Sequence, residues 1–484
     1  MNKNIKYTLA AMVFACWGNA MAQNPYGAYF MDGYAFGHQM NPAKEYDRSG
    51  YFSTPLSGNT NIALRGNLNL KDVLYTNPNG KGLVTYLHPS ISVDEAMSHF
   101  SSDNKLISDF RYDLFSVGFH ALKGYNTIGF GLRNNGGVNI PYGLLDLTKN
   151  LQNKDYSISD LGVSVQSYAE LSYGYSTNVT PYLRIGGKAK VLFGLAYAKA
   201  KMDDLTLNLQ DENQWTATAH VRAEVGIKGF TWGDPKVKEY SDAYKENNPG
   251  ADTYESVDFD NADVDGFGLG GFGLGFDLGA ELDLGKLGLV DGLKASAAIL
   301  DVGFIKWKDV AVAQNKGAEF KFDGFQDVKV DDGNGTKLDD QTDDIGDRLS
   351  DLLAIEEKGT ESTTTTLGAT LNVGVEYTLP TYNKLSFGLL STTRIQGEYS
   401  WNEERLSVNY HPAKWFELGV SGGVGTLGTS VGWVFNWHPA GINLFLAGDH
   451  ILGKLSKQGI PLNSNADISL GITVPFGKAK SSRD

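Results

Sequence analysis

The strongest constraint in the sequence is a strict alternation of apolar with polar or small residues over long segments. In residues 367–379, for example, Leu371, Val373 and Val375 occupy every second position. Successive side chains of a β-strand point to opposite faces, so this pattern predicts a strand with one face against an apolar medium. The same alternation recurs in three other segments, at residues 183–193, 272–284 and 468–476.

Two architectures bury one face of many antiparallel strands: a soluble sandwich buries it in a core, and an outer-membrane barrel buries it in lipid. The long segments favour the barrel, because soluble strands usually have about 5–6 residues whereas a tilted membrane strand needs about 9–11. The polar face carries charges and many of the 58 glycines, which suits a crowded lumen. Aromatic residues near the predicted strand ends fit interfacial girdles. These residues are Trp307, Tyr377, Tyr382, Tyr399, Trp415, Trp433 and Trp437.

Counting back from Phe476 gives fourteen strands, and the even number places both termini on the periplasmic side. Residues 215–227 also alternate, and we interpret 203–229 as a hairpin that rises above the membrane; two further wall strands here would raise the count to sixteen. The prediction is an all-β fold: a transmembrane antiparallel β-barrel of about 14 strands, with an N-terminal plug segment and long acidic extracellular loops. The predicted strands are 60–75, 112–122, 125–134, 162–176, 182–200, 266–284, 292–307, 364–379, 385–397, 402–410, 416–425, 429–437, 442–452 and 465–476.

The first residues have the pattern of a secretory signal, with Lys3 and Lys6 before a short apolar core and Ala20-Met21-Ala22 at the cleavage site. A lipoprotein signal that ends at Cys16 is the competing interpretation. Cys16 is the only cysteine, so a chain that starts at Gln23 has no disulfide. The predicted parts are a signal peptide (1–22), an N-terminal plug or hatch (23–58), an outer-membrane β-barrel (59–476) and a periplasmic tail (477–484).

The net charge of −14 argues against a nucleic-acid partner, which requires clustered Lys and Arg. Most of the acidity lies in residues 233–265, with ten acids and three bases, and in residues 308–361, with fifteen acids and seven bases. Strand parity makes both segments extracellular loops. They would capture divalent cations that bridge to lipopolysaccharide, or repel anions, or they are simply a solvated surface. The predicted partners are outer-membrane lipid and lipopolysaccharide, with a possible protein partner at these loops.

The patterns that suggest chemistry do not meet their structural requirements. Gly266-x-Gly268-x-x-Gly271 matches a dinucleotide fingerprint, but an alternating strand follows it instead of the helix that would hold the pyrophosphate. The matches close to G-x-S-x-G at 419–423 and 428–432 do not lie at a strand-to-helix elbow. No H-x-x-x-H zinc spacing occurs. We therefore expect no enzyme, no cofactor and no metal.

The alternation also predicts which charged side chains face the lumen. They either pair with one another and hold a plugged barrel shut, or they line a path for a solute. The predicted lumen residues are Arg65, Glu170, Arg184, Lys188, Lys190, Asp277, Glu281, Glu376, Arg394 and Asp449.

Four segments carry a resemblance to a known family: 51–65, 271–282, 300–307 and 433–444. Together they resemble an uncharacterised Bacteroidota outer-membrane barrel family, a domain of unknown function, over most of the chain. The element Asp-Val-Gly-Phe-Ile-x-Trp at 301–307 is also similar to one in PorV-type and FadL-like barrels. The resemblance implies a fourteen-stranded bacterial outer-membrane barrel with an N-terminal segment in the lumen. Phe476 is followed by eight more residues, a departure from the usual aromatic terminus.

The resemblance also frames the functional hypotheses. FadL-like members pass hydrophobic compounds through a side opening in the wall, which implies passive passage of small hydrophobic compounds. PorV-type members shuttle secreted proteins, which implies a docking barrel for a partner. A structural barrel without a ligand is the remaining alternative.

Overall fold

The structure is a computed structural model. It describes residues 25–53, 58–78, 82–150, 152, 154–210, 215–240, 245, 249–250, 252–266, 268–315, 319–322, 355–450 and 465–479. Within these ranges, no helix is both long and apolar enough to cross a bilayer.

The described residues form twenty-three strands, three short α-helices and three 3₁₀ turns. The helices are α1 (Leu70–Val73), α2 (Val93–Met97) and α3 (Tyr142–Lys149), and the 3₁₀ turns are Tyr26–Ala28, Gly37–Gln39 and Gly397–Tyr399. The strands are β1 (Arg48–Ser53), β2 (Thr60–Gly66), β3 (Leu74–Thr76), β4 (Leu83–Thr85), β5 (Asp103–Ala121), β6 (Gly124–Pro141), β7 (Tyr156–Ile158), β8 (Leu161–Asn178), β9 (Leu183–Asn208), β10 (Trp215–Ile227), β11 (Phe230–Glu239), β12 (Thr253–Val264), β13 (Gly271–Asp283), β14 (Leu293–Asn315), β15 (Glu319–Phe322), β16 (Ile355–Thr366), β17 (Ala369–Thr378), β18 (Leu385–Ile395), β19 (Trp401–Ala413), β20 (Phe416–Gly425), β21 (Gly428–Trp437), β22 (Asn443–Gly448) and β23 (Ala466–Ala479).

Fourteen antiparallel strand positions close into a ring, which confirms the barrel and the strand number predicted from the sequence. The first position is shared by β1 and β2, and β23 pairs with both of them, so the ring has no open edge. Short connections join the strands at one end, which we call the short-turn end, and the opposite end is the long-loop end. The ring order is β1/β2, β5, β6, β8, β9, β13, β14, β17, β18, β19, β20, β21, β22 and β23.

The ring turns its apolar residues outward and its polar residues inward. On β17, Val373 and Val375 are 46% and 42% exposed, whereas Thr370 and Asn372 are 2% and 0% exposed. A soluble protein has the opposite arrangement, because exposed apolar surface costs about 25 cal/mol per Å². The outer face of the ring therefore requires apolar surroundings.

The wall continues beyond the ring on one side. Gly271, the first residue of β13, is the point where β13 lies nearest the long-loop end. Beyond Gly271 in that direction, β10 lies between β9 and β14 and pairs with both of them. β17 pairs with the first part of β14, and β16 pairs with the part of β14 that extends toward the long-loop end. The predicted hairpin over 203–229 thus adds no strand to the ring of fourteen. β10 pairs with the upper part of β9, and the other edge of β10 pairs with β14 and β15.

A bulge in β14 changes which residues face inward. Phe276 pairs with Val302, but Leu278 pairs with Ile299, and Asp301 between them has a left-handed φ of 56°. Beyond the bulge Trp307 is fully buried, stacks on Tyr197 at a centroid distance of 5.6 Å, and is not an interfacial residue. The expectation that Trp307 belongs to a girdle is therefore wrong, because one extra residue reverses the alternation.

Several predicted boundaries differ from those in the structure. The wall begins at Arg48 and not at residue 59, because β1 pairs with β5 and β23, and it ends at Ala479 and not at 476. Much of the two acidic segments is strand, in β11, β12, β14 and β16, while residues 323–354 lie outside the described residues. The predicted signal peptide (1–22) also lies outside them.

Candidate functional site

Residues 25–47, which we call the N-terminal segment, lie inside the ring and contact strands on opposite sides of it. The backbone N–H groups of Tyr26 and Gly27 each donate to Asp449 at 2.8 Å. Further along, Asn372 on β17 donates through Nδ2 to the Met40 carbonyl at 2.9 Å. The segment is built from buried aromatic and small residues, and Phe36 is fully buried. It therefore occupies interior space that the inward side chains leave free.

Glycines in the wall make room for this segment. A Cβ atom at Gly388 on β18 would lie 2.2 Å from a ring carbon of Phe30, and one at Gly186 on β9 would lie 2.2 Å from the carbonyl oxygen of Pro42. Real Cβ atoms do not approach other atoms so closely, so the segment can pack here only against glycine. The close approach explains part of the glycine content of the chain.

Replacing Gly388 by valine is expected to destabilise the barrel by about 1–3 kcal/mol, because the new side chain overlaps Phe30. The measurement is urea-induced unfolding in lipid vesicles, followed by tryptophan fluorescence. Gly422→Val on β20 is the matched control, since its Cβ would have no neighbour closer than Ser430 O at 3.9 Å. Equal unfolding midpoints for the two variants would show that the segment does not pack against β18.

The largest ionic cluster surrounds Lys190 on the inner face of β9. Lys190 Nζ lies 2.7 Å from Asp277 Oδ1, 2.5 Å from Asp301 Oδ1 and 4.0 Å from Glu170 Oε2. Arg133 Nη2 extends the cluster through contacts at 3.3 Å to Glu170 and at 2.8 Å to Asp113. One lysine thus holds together carboxylates from three strands.

A second ionic cluster lies near the long-loop end. Arg405 contacts Glu403 at 2.6 Å and Asp449 at 3.7 Å, and Arg65 contacts the other oxygen of Asp449 at 3.7 Å. The guanidinium carbon of Arg65 also lies 4.7 Å from the ring centroid of Trp401, a cation–π distance. This cluster holds the start of the N-terminal segment through Asp449.

The other end of the segment is held by charges at the short-turn end. Glu45 contacts Arg184 on β9 at 2.6 Å and His120 on β5 at 2.9 Å. Lys44 contacts Glu281 on β13 at 3.5 Å. The segment is therefore fixed to the wall at both ends, by backbone hydrogen bonds to Asp449 at its start and by ionic contacts of Lys44 and Glu45 at its other end.

Within the described part of the chain, a cavity of about 40 Å³ lies in the ring, and two further cavities measure about 20 and 10 Å³. We call the first one the chamber. Asp109 and Arg111 on β5, Arg133 on β6, Asp301 on β14 and Arg394 on β18 are among the residues that line it. Acidic and basic side chains therefore line a space large enough for a few water molecules.

The register of the first strand position shifts between β1 and β2, and we call this place the wall break; residues 54–57 within it lie outside the described residues. Ser53 at the end of β1 pairs with Ser116 of β5, and Thr60 at the start of β2 pairs with Tyr112 of the same strand. The first strand position advances seven residues from Ser53 to Thr60 while β5 covers four from Ser116 to Tyr112, so the register shifts by three residues. β5 also shifts register against β6 near Asp113.

Side chains from the segment and the wall meet beside the wall break. Gln39 of the N-terminal segment donates through Nε2 to Asp113 Oδ2 at 2.5 Å. Gln39 Oε1 accepts from Asn59 Nδ2 at 2.8 Å and from Arg111 Nη1 at 3.1 Å. Gln39 is thus the residue through which the segment is attached to this part of the wall.

A sequence model of a family of unknown function, DUF5723, matches residues 42–449, which is most of the chain. The chain belongs to this family. No curated protein matches this DUF5723 member in sequence.

Several solved barrels are similar in structure. The toluene transporter TbuX of Ralstonia pickettii is 7% identical, with 91% of this chain and 93% of that chain covered, at a TM-score of 0.38. The toluene transporter TodX of Pseudomonas putida is 10% identical, with 94% and 95% covered, at a TM-score of 0.35. CymD, a monoaromatic hydrocarbon channel, is 8% identical, with 95% and 98% covered, at a TM-score of 0.38.

In this DUF5723 member, the ten charged residues predicted to face the lumen fall into several groups. Arg184 and Glu281 are half-buried, and the others are buried. Lys188 joins the Lys190 cluster, with its Nζ 3.9 Å from Asp277, and Arg394 contacts Asp109 at 3.4 Å. Among the described residues, Glu376 Oε1 has no hydrogen-bond partner. The buried residues are Arg65, Glu170, Lys188, Lys190, Asp277, Glu376, Arg394 and Asp449.

Other interior residues were not predicted. Glu403 and Arg405 alternate with outward-facing Leu406 on β19, so the same pattern would have found them. Asp301 faces the chamber only because of the bulge, and Gln39 lies outside any strand. Across the described ranges, no group of three or more His, Cys, Asp or Glu side chains is placed to hold a metal ion.

Proposed function

We propose that this chain is a bacterial outer-membrane barrel. The outward rows of apolar residues on a closed ring with a polar interior support this, since lipid is the medium that such a surface requires. Exposed aromatic residues at the short-turn end fit an interfacial girdle: Tyr382, Trp415 and Trp437 are 46%, 50% and 37% exposed. The long-loop end would then face the exterior.

We further propose that the barrel gives small hydrophobic compounds a passive route through the wall break. The N-terminal segment occupies the interior, and the cavities there measure tens of Å³, so a straight aqueous path is not the supported route. The single observation that supports the proposal is the register shift along β5 between Ser53 and Thr60. A compound that leaves sideways at this level enters hydrocarbon.

The energetics of this route suit an apolar compound. Moving apolar surface from water into the bilayer is favourable by about 25 cal/mol per Å², so the barrel needs only to lower the barrier at the outer leaflet. Gln39, Asp113 and Asn59 place polar groups across the wall break. In this mechanism Gln39 moves away from the wall while a compound passes.

The test fixes Gln39 to the wall with a reducible bis-maleimide in the double variant Gln39→Cys/Asn59→Cys. Cys16 lies in the predicted signal peptide, so a chain that starts at Gln23 carries no competing thiol. In vesicles with a lipopolysaccharide outer leaflet, the entry of N-phenylnaphthylamine is followed by its fluorescence. We expect the cross-linked protein to lose the accelerated entry and reduction to restore it.

The matched control is Glu45→Cys/His120→Cys, which tethers the segment at the short-turn end and should leave entry unchanged. Two results contradict the proposal. The intact protein could fail to accelerate dye entry over vesicles without protein, or the two cross-links could act alike.

A further inference from the structure

The outer face of β14 changes from apolar to basic as the strand approaches the long-loop end. Val302 and Phe304 are 44% and 45% exposed, and the next two outward residues, Lys306 and Lys308, are exposed as well. Trp307 between the lysines is fully buried and faces inward. Lysine therefore follows directly on the apolar row that the barrel turns outward.

The height of these lysines on the barrel agrees with the edge of a bilayer. β14 begins at Leu293, which pairs with Tyr377 at the short-turn end. From Leu293 to Lys306 the strand takes about twelve regular steps, which climb about 30 Å at a rise of about 3.3 Å and a tilt of about 40°. The apolar band of an outer-membrane barrel is about 25 Å tall. Lys306 therefore lies at the level of the headgroups on the long-loop side.

Beyond the lysines, the outer face of β14 is covered by protein. Ala311 is buried in a cluster with Trp232 of β11 and Val257 of β12. The neighbouring Val310 packs with Trp307 on the inward face instead. The hairpin of β11 and β12 therefore lies over the outside of the wall at this level. The two lysines occupy the strip between the exposed apolar row and this hairpin.

The chain itself supplies no anion for this strip. Among the described residues, neither Lys306 nor Lys308 forms an ion pair. Asp309 beside them and Asp263 at the base of the hairpin are exposed, but neither contacts a lysine. Thr364 of β16 pairs with Lys306 and is exposed, so a hydroxyl lies beside the ammonium groups. The outer face thus offers donors without an acceptor.

From these observations we propose that Lys306, Lys308 and Thr364, which we call the lysine strip, bind the phosphate groups of lipopolysaccharide. The inference rests on the outer-membrane location proposed above. Ammonium groups form charge-assisted hydrogen bonds with phosphate oxygens, which are stronger than neutral ones. Phe272 pairs with Lys306 and is 52% exposed, and Phe304 lies just below, so acyl chains of the same molecule meet apolar rings. This contact is direct and needs no bridging cation.

The test measures the binding of lipid A, the phosphorylated anchor of lipopolysaccharide, to the full chain in detergent by native mass spectrometry. EDTA is present throughout, so that divalent cations cannot bridge the lipid to acidic residues. Lipid A is expected to bind at least about tenfold more tightly than its dephosphorylated form. The variant Lys306→Gln/Lys308→Gln should bind lipid A at least about tenfold more weakly and the dephosphorylated form unchanged.

The matched control is Lys123→Gln/Lys286→Gln, which removes the same charge from two exposed positions at the short-turn end. It should bind lipid A as the unaltered chain does. Three results overturn the proposal. The dephosphorylated lipid could bind as tightly as lipid A, the lysine-strip variant could bind lipid A unchanged, or the control could lose as much affinity as that variant. The two lipids on the unaltered chain decide the matter even if a variant does not fold.

Failure of this inference can be told apart from failure of the proposed function. β14 lies nearly opposite β1 and β2 in the ring, so the lysine strip is remote from the wall break. Any of the three results in a chain that still accelerates dye entry overturns this inference alone. A chain that does not insert into phosphatidylcholine vesicles overturns the outer-membrane location and this inference with it.

Discussion

Replacing Lys190 by methionine is expected to destabilise the folded barrel by about 3–5 kcal/mol, the usual cost of removing one partner from a buried ionic group. Lys190 is 4% exposed and contacts Asp277, Asp301 and Glu170. Methionine fills a similar volume, so the loss in the free energy of unfolding reports the cost of leaving three carboxylates without their cation. Urea unfolding in vesicles, followed by tryptophan fluorescence, gives the free energy of unfolding.

The matched control is Lys286→Met at the short-turn end. Lys286 contacts Asp283 at 3.4 Å, but its side chain is 64% exposed, so its removal should change the stability by no more than about 0.5 kcal/mol. The double variant Lys190→Met/Asp277→Asn should recover part of the loss, because one buried charge is removed with its partner. A loss below about 1 kcal/mol for Lys190→Met would mean that water solvates the cluster.

Deleting residues 25–47 is expected to convert a closed barrel into a conducting one. The deletion removes the buried segment and leaves the wall intact from Arg48. Barrels of sixteen to eighteen strands enclose aqueous channels and those of eight are filled by side chains, so an emptied ring of fourteen should conduct at least about tenfold more ions than the intact chain. Single-channel recording in planar bilayers makes the comparison.

The control for the deletion is removal of residues 480–484, which leaves the N-terminal segment and β23 in place and should not change the conductance. Gly388→Val is a second test of whether the N-terminal segment closes the barrel, because the valine displaces Phe30 without shortening the chain. If the deletion variant folds and still conducts as the intact chain does, the inward side chains alone close the barrel.

Alternation alone was enough to predict the ring of fourteen strand positions. On β9, Lys188 and Lys190 are buried, and Ile185 is exposed on the opposite face, because a strand has a fixed period of two. The same rule applies to Glu403 and Arg405, which could have been predicted in the same way. Parity of the strand number then set which connections are short.

Other features depend on contacts between distant parts of the chain. The bulge at Asp301 shifts the period by one residue, and no local pattern around it gave that shift or the inward position of Trp307. Gln39 meets Asp113 and Asn59 only in the folded ring. β1 has six residues and a register shift near its start, which is too little for a periodic signal. The sequence therefore places these residues in the predicted plug or hatch (23–58).

The first strand position has a consequence for the order of biogenesis. β1 and β2 pair with β23, so the circle is sealed by the first and last described strands of the ring and cannot be sealed until β23 has been made. The residues that precede β1 are already attached to that seam. The segment can therefore enter the interior before the circle is sealed, and it does not have to thread into a finished cylinder.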